Sequence, residues 1–241
     1  MADYRRYRIT GYILTILLHV SNMVYMAAVA RPLKEHPELK TFLKLQPRYF
    51  TCWNFGLQVI YAAIALSCDV LELKNSSNKA YRLNKHLRAL RDILFAGILW
   101  PSTMLVFSVF WFLYLIDRDL IFPKFADKAL TPLSNHVIHT LIVPIVVWEV
   151  MFRPRTTPKS HKRNIFHLLA HLIVYLSVLV YTYIDAGTWI YPIFNKLFGT
   201  VYFPVAILSI PLLCVVYYYL QWVVTGFIWG GNPSKRTNER E

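Results

Sequence analysis

Six runs of twenty or more residues contain no Asp, Glu, Lys or Arg: 9 to 30, 49 to 68, 93 to 116, 129 to 148, 164 to 184 and 197 to 231. Each is long enough, at ~1.5 Å per helical residue, to cross ~30 Å of hydrocarbon. With 56% hydrophobic residues spread evenly over 241 positions, the chain is too apolar for one water-soluble core. Lipid offers the backbone no hydrogen-bond partners, so each crossing must satisfy its own peptide groups. The expected fold is therefore all-α: a polytopic membrane helical bundle with about six transmembrane helices. It forms a single transmembrane domain over residues 1–241, ending in a polar cytosolic tail at 232–241.

The last run exceeds one perpendicular crossing and carries Pro204, Pro211, Gly226, Gly230 and Gly231. It reads as one tilted span with an interfacial end, a hairpin giving a seventh span being the alternative. Pro101 and Pro144 fall inside other spans, where neighbouring helices can satisfy the freed carbonyls.

The net charge of +13 does not point to nucleic acid, because the basic residues sit between apolar runs rather than on one face. They are distributed by side. Arg5, Arg6, Arg8, the segments 74–91 and 153–163, and the tail Lys235, Arg236 and Arg240 together hold 17 Lys and Arg; the alternate loops and Lys196 hold 9. The positive-inside rule puts both termini in the cytosol, in the plasma membrane or endoplasmic reticulum. The sequon Asn75-Ser76-Ser77 then lies on the cytosolic side and stays unmodified. The first run is longer than a signal-peptide core and is read as an uncleaved span. Cys52, Cys68 and Cys214 are dispersed and form neither a disulfide framework nor a metal-binding spacing. No internal repeat stands out.

Polar groups at membrane depth are expensive and are therefore candidates for function. Thr51, Asn54 and Gln58 share one helical face, which is also the ordinary pattern of interhelical hydrogen bonding. Ser134-Asn135-His136 follows Pro132, with His139 and Thr140 one turn on. In the expected topology Thr51 and His136 enter from the same non-cytosolic face, at similar shallow depth. Asp117, Asp119 and Asp185 close other spans at that face. His167 and His171, also one turn apart, enter from the opposite side, some 20 to 30 Å away by bilayer dimensions. That separation argues against joining the two histidine pairs in one metal centre. His19 and Asn22, mid-span, read as structural.

A threonine hydroxyl is a weak nucleophile until a base removes its proton, and neutral histidine suits that role near neutral pH. Thr51 and His136 are the candidate pair. Asn54 is a candidate oxyanion donor, with Gln58 on the same face. Asp117, Asp119, His139 and Asp185 are candidates to support or orient the base. Such a site, open sideways to acyl chains, suits ester hydrolysis of a lipid, although no GxSxG elbow is present.

These blocks resemble the androgen-induced protein and androgen-dependent TFPI-regulating protein family over nearly the whole chain. The resemblance is carried by Arg48-Tyr49-Phe50-Thr51 with Asn54 and Gln58, and by Asn135-His136-Val137-Ile138-His139-Thr140. It continues in Leu90-Arg91-Asp92, Phe110-Trp111, Arg118 to Lys124, and Gly187 to Pro192. It implies a multi-pass membrane hydrolase of fatty acid esters of hydroxy fatty acids, needing no cofactor or metal. The motif match puts the nucleophile on Thr51 and the histidine on His136. The Arg118 and Gly187 blocks are nearer the TFPI-regulating branch. Two departures bear on substrate preference: Leu133-Ser134 replaces a Trp-Leu pair, and Phe122 a tyrosine. The competing expectations are a histidine-rich metal-dependent lipid-modifying enzyme, marked by chelator sensitivity, and a non-catalytic scaffold or transporter. The last would tolerate loss of Thr51 and His136, and a transporter would conduct a solute.

Overall fold

The computed structural model describes residues 4–33 and 37–230; the expected tail at 232–241 lies outside them. Helix α1 spans Arg5–Ala30, and α2, Pro37–Leu45, is short. A 3-10 turn, Gln46–Arg48, leads into α3, Phe50–Lys74. Helix α4, Lys85–Ile93, starts on Asn84, whose side-chain oxygen accepts from the His86 and Leu87 N–H groups. It continues through a π-helical stretch, Leu94–Leu99, into α5, Trp100–Asp117. The wider turn lies directly before Pro101, whose missing N–H and ring disturb the regular ladder.

Proline also divides the fourth crossing. Pro144 stands four residues after Thr140, so its ring meets the carbonyl that a regular helix would have bonded. The helix breaks there into α6, Pro132–His139, and α7, Ile142–Phe152. Helix α8, Lys162–Ala186, ends on Gly187, whose φ of 67° suits a residue without a side chain. Short α9, Pro192–Leu197, precedes α10, Tyr202–Trp229. Among the described residues, six segments are long and apolar enough to cross a membrane. Helix α10 is continuous through Pro211 and Gly226. At 28 residues it reaches about 42 Å, which favours one tilted crossing over a hairpin.

Close approach and polar contacts hold the helices together where water is absent. A Cβ on Gly11 would run into the indole ring of Trp148, so glycine lets α1 and that ring approach closely here. Tyr12, Ala62, Ala65, Phe95 and Val146 fill the core between α1, α3, the π-helical stretch and α7. A polar belt crosses the same region. His19 Nε2 is 2.7 Å from Gln58 Oε1, and Gln58 Nε2 donates to the Ile142 carbonyl at 3.0 Å. Thr103 Oγ1 donates to Asn54 Oδ1 at 2.9 Å. Gln58 and Asn54 thus act as glue between α1, α3, α5 and α7.

At the end of the bundle where α1 begins lies a buried ionic cluster. Asp69 accepts from Arg8 Nε at 2.8 Å and from Arg153 Nη2 at 3.0 Å. Glu149 accepts from Arg153 Nε and Arg155 Nη2, both at 2.8 Å, and from the hydroxyls of Tyr12 and Tyr61. The uncharged runs 49–68 and 129–148 stop just before these two acids. The helices do not stop; they continue and bury Asp69 and Glu149 to 0% and 2% exposure. Counting charges marks such residues as span ends, whereas full pairing lets them lie inside.

Candidate functional site

Thr51 stands in the first turn of α3, and His139 is the last residue of α6. Thr51 Oγ1 lies 3.3 Å from His139 Nε2. The other ring nitrogen settles the tautomer. His139 Nδ1 is 2.9 Å from Asn135 Oδ1 and 3.1 Å from the Asn135 carbonyl, both acceptors, so Nδ1 carries the proton. Nε2 is left with a free lone pair facing the threonine hydroxyl, which donates to it. The imidazole is buried and stacks on Phe110, with ring centroids 3.5 Å apart and planes 6° apart.

The pairing expected from the sequence was Thr51 with His136, and the geometry corrects it. His136 is exposed; its Nδ1 is 3.0 Å from Thr140 Oγ1, and its ring stacks on Trp111. Residues three apart on a helix differ by about 60° in direction, and the rotation of α6 turns the second histidine inward. The break before Pro144 also makes His139 a helix C-terminus. A helix C-terminus favours the positive charge an imidazole gains on accepting a proton, and the N-terminus of α3 favours an anion near Thr51.

The expected shallow mouth is also corrected. The Phe50 N–H donates to the hydroxyl of Tyr175, midway along the 25-residue α8, so α3 begins well inside the bundle. The segment before it covers the site: Phe42 of α2 packs edge-on against Phe125 at 5.9 Å, and against Tyr49.

None of the three aspartates touches His139. Asp117 accepts from the Asp119 N–H and lies 3.3 Å from Lys196 Nζ, while Asp185 pairs with Arg48 at 2.8 Å. Asp119 lies in the 3-10 turn after α5. Asn135, four residues before His139, does the orienting. Removing its side chain leaves the backbone carbonyl as the remaining acceptor. Asn135→Ala is therefore expected to loosen the fixed tautomer of His139, read as a change in its imidazole ¹⁵N resonances.

Asn54 Nδ2 is buried with no acceptor among the described residues, but its Oδ1 is held by Thr103 and it does not border the cavity in front of Thr51. That cavity, of about 550 Å³, lies among α3, α5, α6, α8 and α10. Its walls are almost entirely apolar, from Leu105, Val106, Leu172 and Ile207 among others. Ile173 and Leu208, which also line it, are 64% and 68% exposed on the outer surface, so it opens sideways between α8 and α10. Thr51, His139, Tyr175 and Tyr191 are among its polar lining residues.

His171 stands nearer this site than expected, its ring centroid 5.6 Å from that of Phe50 and 5.8 Å from that of Trp53. His167 instead turns its Nδ1 to the Arg163 carbonyl. Among the described residues no three His, Cys, Asp or Glu side chains come together in a group able to hold a metal ion.

The chain is 39% identical over 150 residues to the human androgen-dependent TFPI-regulating protein, covering 62% of this chain and 63% of that protein. It is 32% identical over 169 residues to the Mesocricetus auratus protein of the same name, covering 70% and 69%. To the human androgen-induced gene 1 protein it is 25% identical over 190 residues, covering 78% and 79%. The first match thus spans less than two thirds of the human relative's length. No solved structure matches the chain. Residues 14–225 match the FAR-17a/AIG1-like protein family, and the chain belongs to that family.

Proposed function

We propose that this chain is a membrane-embedded ester hydrolase that cleaves fatty acid esters of hydroxy fatty acids, with Thr51 as nucleophile and His139 as general base. The observation that carries the reading is the 3.3 Å approach of Thr51 Oγ1 to an unprotonated His139 Nε2 at the wall of an apolar, laterally open cavity. A hydrogen bond of that length is compatible with catalysis, since such contacts tighten when substrate binds. The volume suits an extended acyl chain, and the lateral opening admits it from the lipid.

The chemistry balances within this set of groups. Thr51 Oγ attacks the ester carbonyl carbon while its proton passes to His139 Nε2, and the carbonyl oxygen takes up the displaced electron pair. As the carbonyl re-forms, the bond to the hydroxy-acid oxygen breaks and His139 returns its proton to that leaving oxygen. Water, deprotonated by the same nitrogen, then attacks the acyl carbon; the bond to Thr51 Oγ breaks, His139 passes the proton to that oxygen, and the free acid leaves. Asn135 keeps the second ring proton on Nδ1 throughout. The substrate class rests on the family resemblance of the Thr51 and Asn135–Thr140 segments, and an apolar cavity with no Lys or Arg among its described lining residues is consistent with it.

The test is turnover by purified protein in lipid nanodiscs, with release of the free hydroxy fatty acid measured by mass spectrometry. The wild-type protein is expected to release it and Thr51→Ala is not. A wild-type protein that binds the ester without cleaving it would contradict the reading.

A further inference from the structure

Two tyrosine hydroxyls meet at the start of α3, and their protons do not all find acceptors there. Tyr175 comes from the middle of α8, and Tyr191 stands just before α9. Their oxygens are 2.9 Å apart, and the Phe50 N–H points at both, at 3.0 and 2.9 Å. The three groups hold three protons, one on nitrogen and one on each phenol. The amide proton is shared between the two oxygens, and one phenol donates to the other. The second phenolic proton has no acceptor among the described residues, and both phenols border the cavity that holds Thr51. Burial pushes the Tyr191 phenol up to about 12, so it keeps its proton at neutral pH.

We infer that this Tyr175–Tyr191 pair donates the hydrogen bond that holds the substrate's ester carbonyl oxygen while Thr51 attacks the adjacent carbon. The inference rests on the hydrolase reading above. Phe50 is the residue before Thr51, so the phenols anchored on its N–H stand at the same end of α3 as the nucleophile and line the same cavity. The amide bond they accept polarises their own O–H groups and makes the free one a stronger donor. The neutral carbonyl of an ester fits better than a free carboxylate, since among the described residues no Lys or Arg lines the cavity to offset a full charge. As the carbonyl oxygen gains charge in the transition state, the waiting phenolic proton stabilises it without reorganisation. Asn54, the oxyanion donor suggested by sequence, is the competitor, but its amide lies outside the cavity lining.

The arrangement makes a non-additive prediction. Tyr175→Phe or Tyr191→Phe removes one hydroxyl but frees the survivor's proton from its partner, so each single variant should lose no more than about tenfold in kcat. The double variant has no phenolic donor and should lose about 10²–10³-fold in kcat with little change in KM. A trifluoromethyl ketone, whose hydrate or threonine adduct carries the tetrahedral oxygen, should bind the double variant more weakly by a similar factor. Thermal unfolding of each variant in nanodiscs reports folding separately. A folded double variant with kcat within about threefold of wild type would overturn the inference while leaving the hydrolase reading intact. Wild-type hydrolysis unaffected by Thr51→Ala would instead remove the hydrolase reading. Should the double variant not fold, the singles still decide. The ketone's affinity should then fall more than substrate KM rises in at least one of them, and equal changes in both would overturn the inference.

Discussion

Alanine at His139 is expected to lower kcat/KM for ester hydrolysis by roughly 10²–10⁴-fold, the usual contribution of a positioned general base, while alanine at His136 leaves it within about threefold. The contrast follows from where the two rings point. His139 is buried, carries its proton on the nitrogen facing Asn135, and turns its lone pair to Thr51. His136 is exposed and is engaged with Thr140 and Trp111 on the outer side of α6. Thr51→Ala should remove turnover altogether, and Thr51→Ser should restore part of it, because the hydroxyl rather than the methyl does the chemistry. Steady-state rates on the four variants, each first checked for monodisperse purification, decide the matter. Equal losses at the two histidines would contradict the assignment of the base.

The second large effect is on stability, and it lies far from the chemistry. Asp69→Ala is expected to cost about 3–5 kcal/mol, because it leaves Arg8 and Arg153 buried with the shared carboxylate gone. Over a chain of this size that corresponds to a fall of on the order of 10 °C in the apparent Tm. Arg8 keeps its bond to the Phe152 carbonyl, and Arg153 keeps Glu149, so the bundle is loosened rather than abolished. Asp69 stands 18 positions beyond Thr51 on α3, roughly 27 Å along the axis. The folded fraction should therefore keep its kcat at low temperature. Wild-type thermal stability in Asp69→Ala would contradict the structural role, and a kcat loss at unchanged stability would place Asp69 in the catalytic path instead.

How much of this was legible in the residues depends on what each feature needs in order to exist. Six crossings were legible because an uncharged run of twenty residues has few other fates. The ionic cluster was not. Asp69 and Glu149 each look like the end of a span, and only the arrival of Arg8, Arg153 and Arg155 from other segments makes their burial affordable. Thr51 was legible as a polar residue opening an apolar helix, and the Asn135–Thr140 segment as its partner. Which histidine faces inward depends on the rotation of α6, and that is set by packing. Two signals in the sequence favoured His139: Asn135 four residues before it, on its own face, and Pro144, which ends the helix beside it. The Asp117, Asp119 and Asp185 candidates failed because span ends at one face need not converge; two of the three are tied to Lys196 and Arg48 instead. The tyrosine pair was out of reach, since Tyr191 lies in a connection whose path no periodicity records.

The central claim is that the Thr51 hydroxyl is made nucleophilic by His139. Its most direct test is reaction of the purified protein with a fluorophosphonate, which modifies an activated hydroxyl by displacement of fluoride, followed by peptide mapping. The account predicts phosphonylation at Thr51 in the wild type and in His136→Ala, and none in His139→Ala. Labelling at another residue, or labelling of Thr51 that survives in His139→Ala and disappears in His136→Ala, would contradict it.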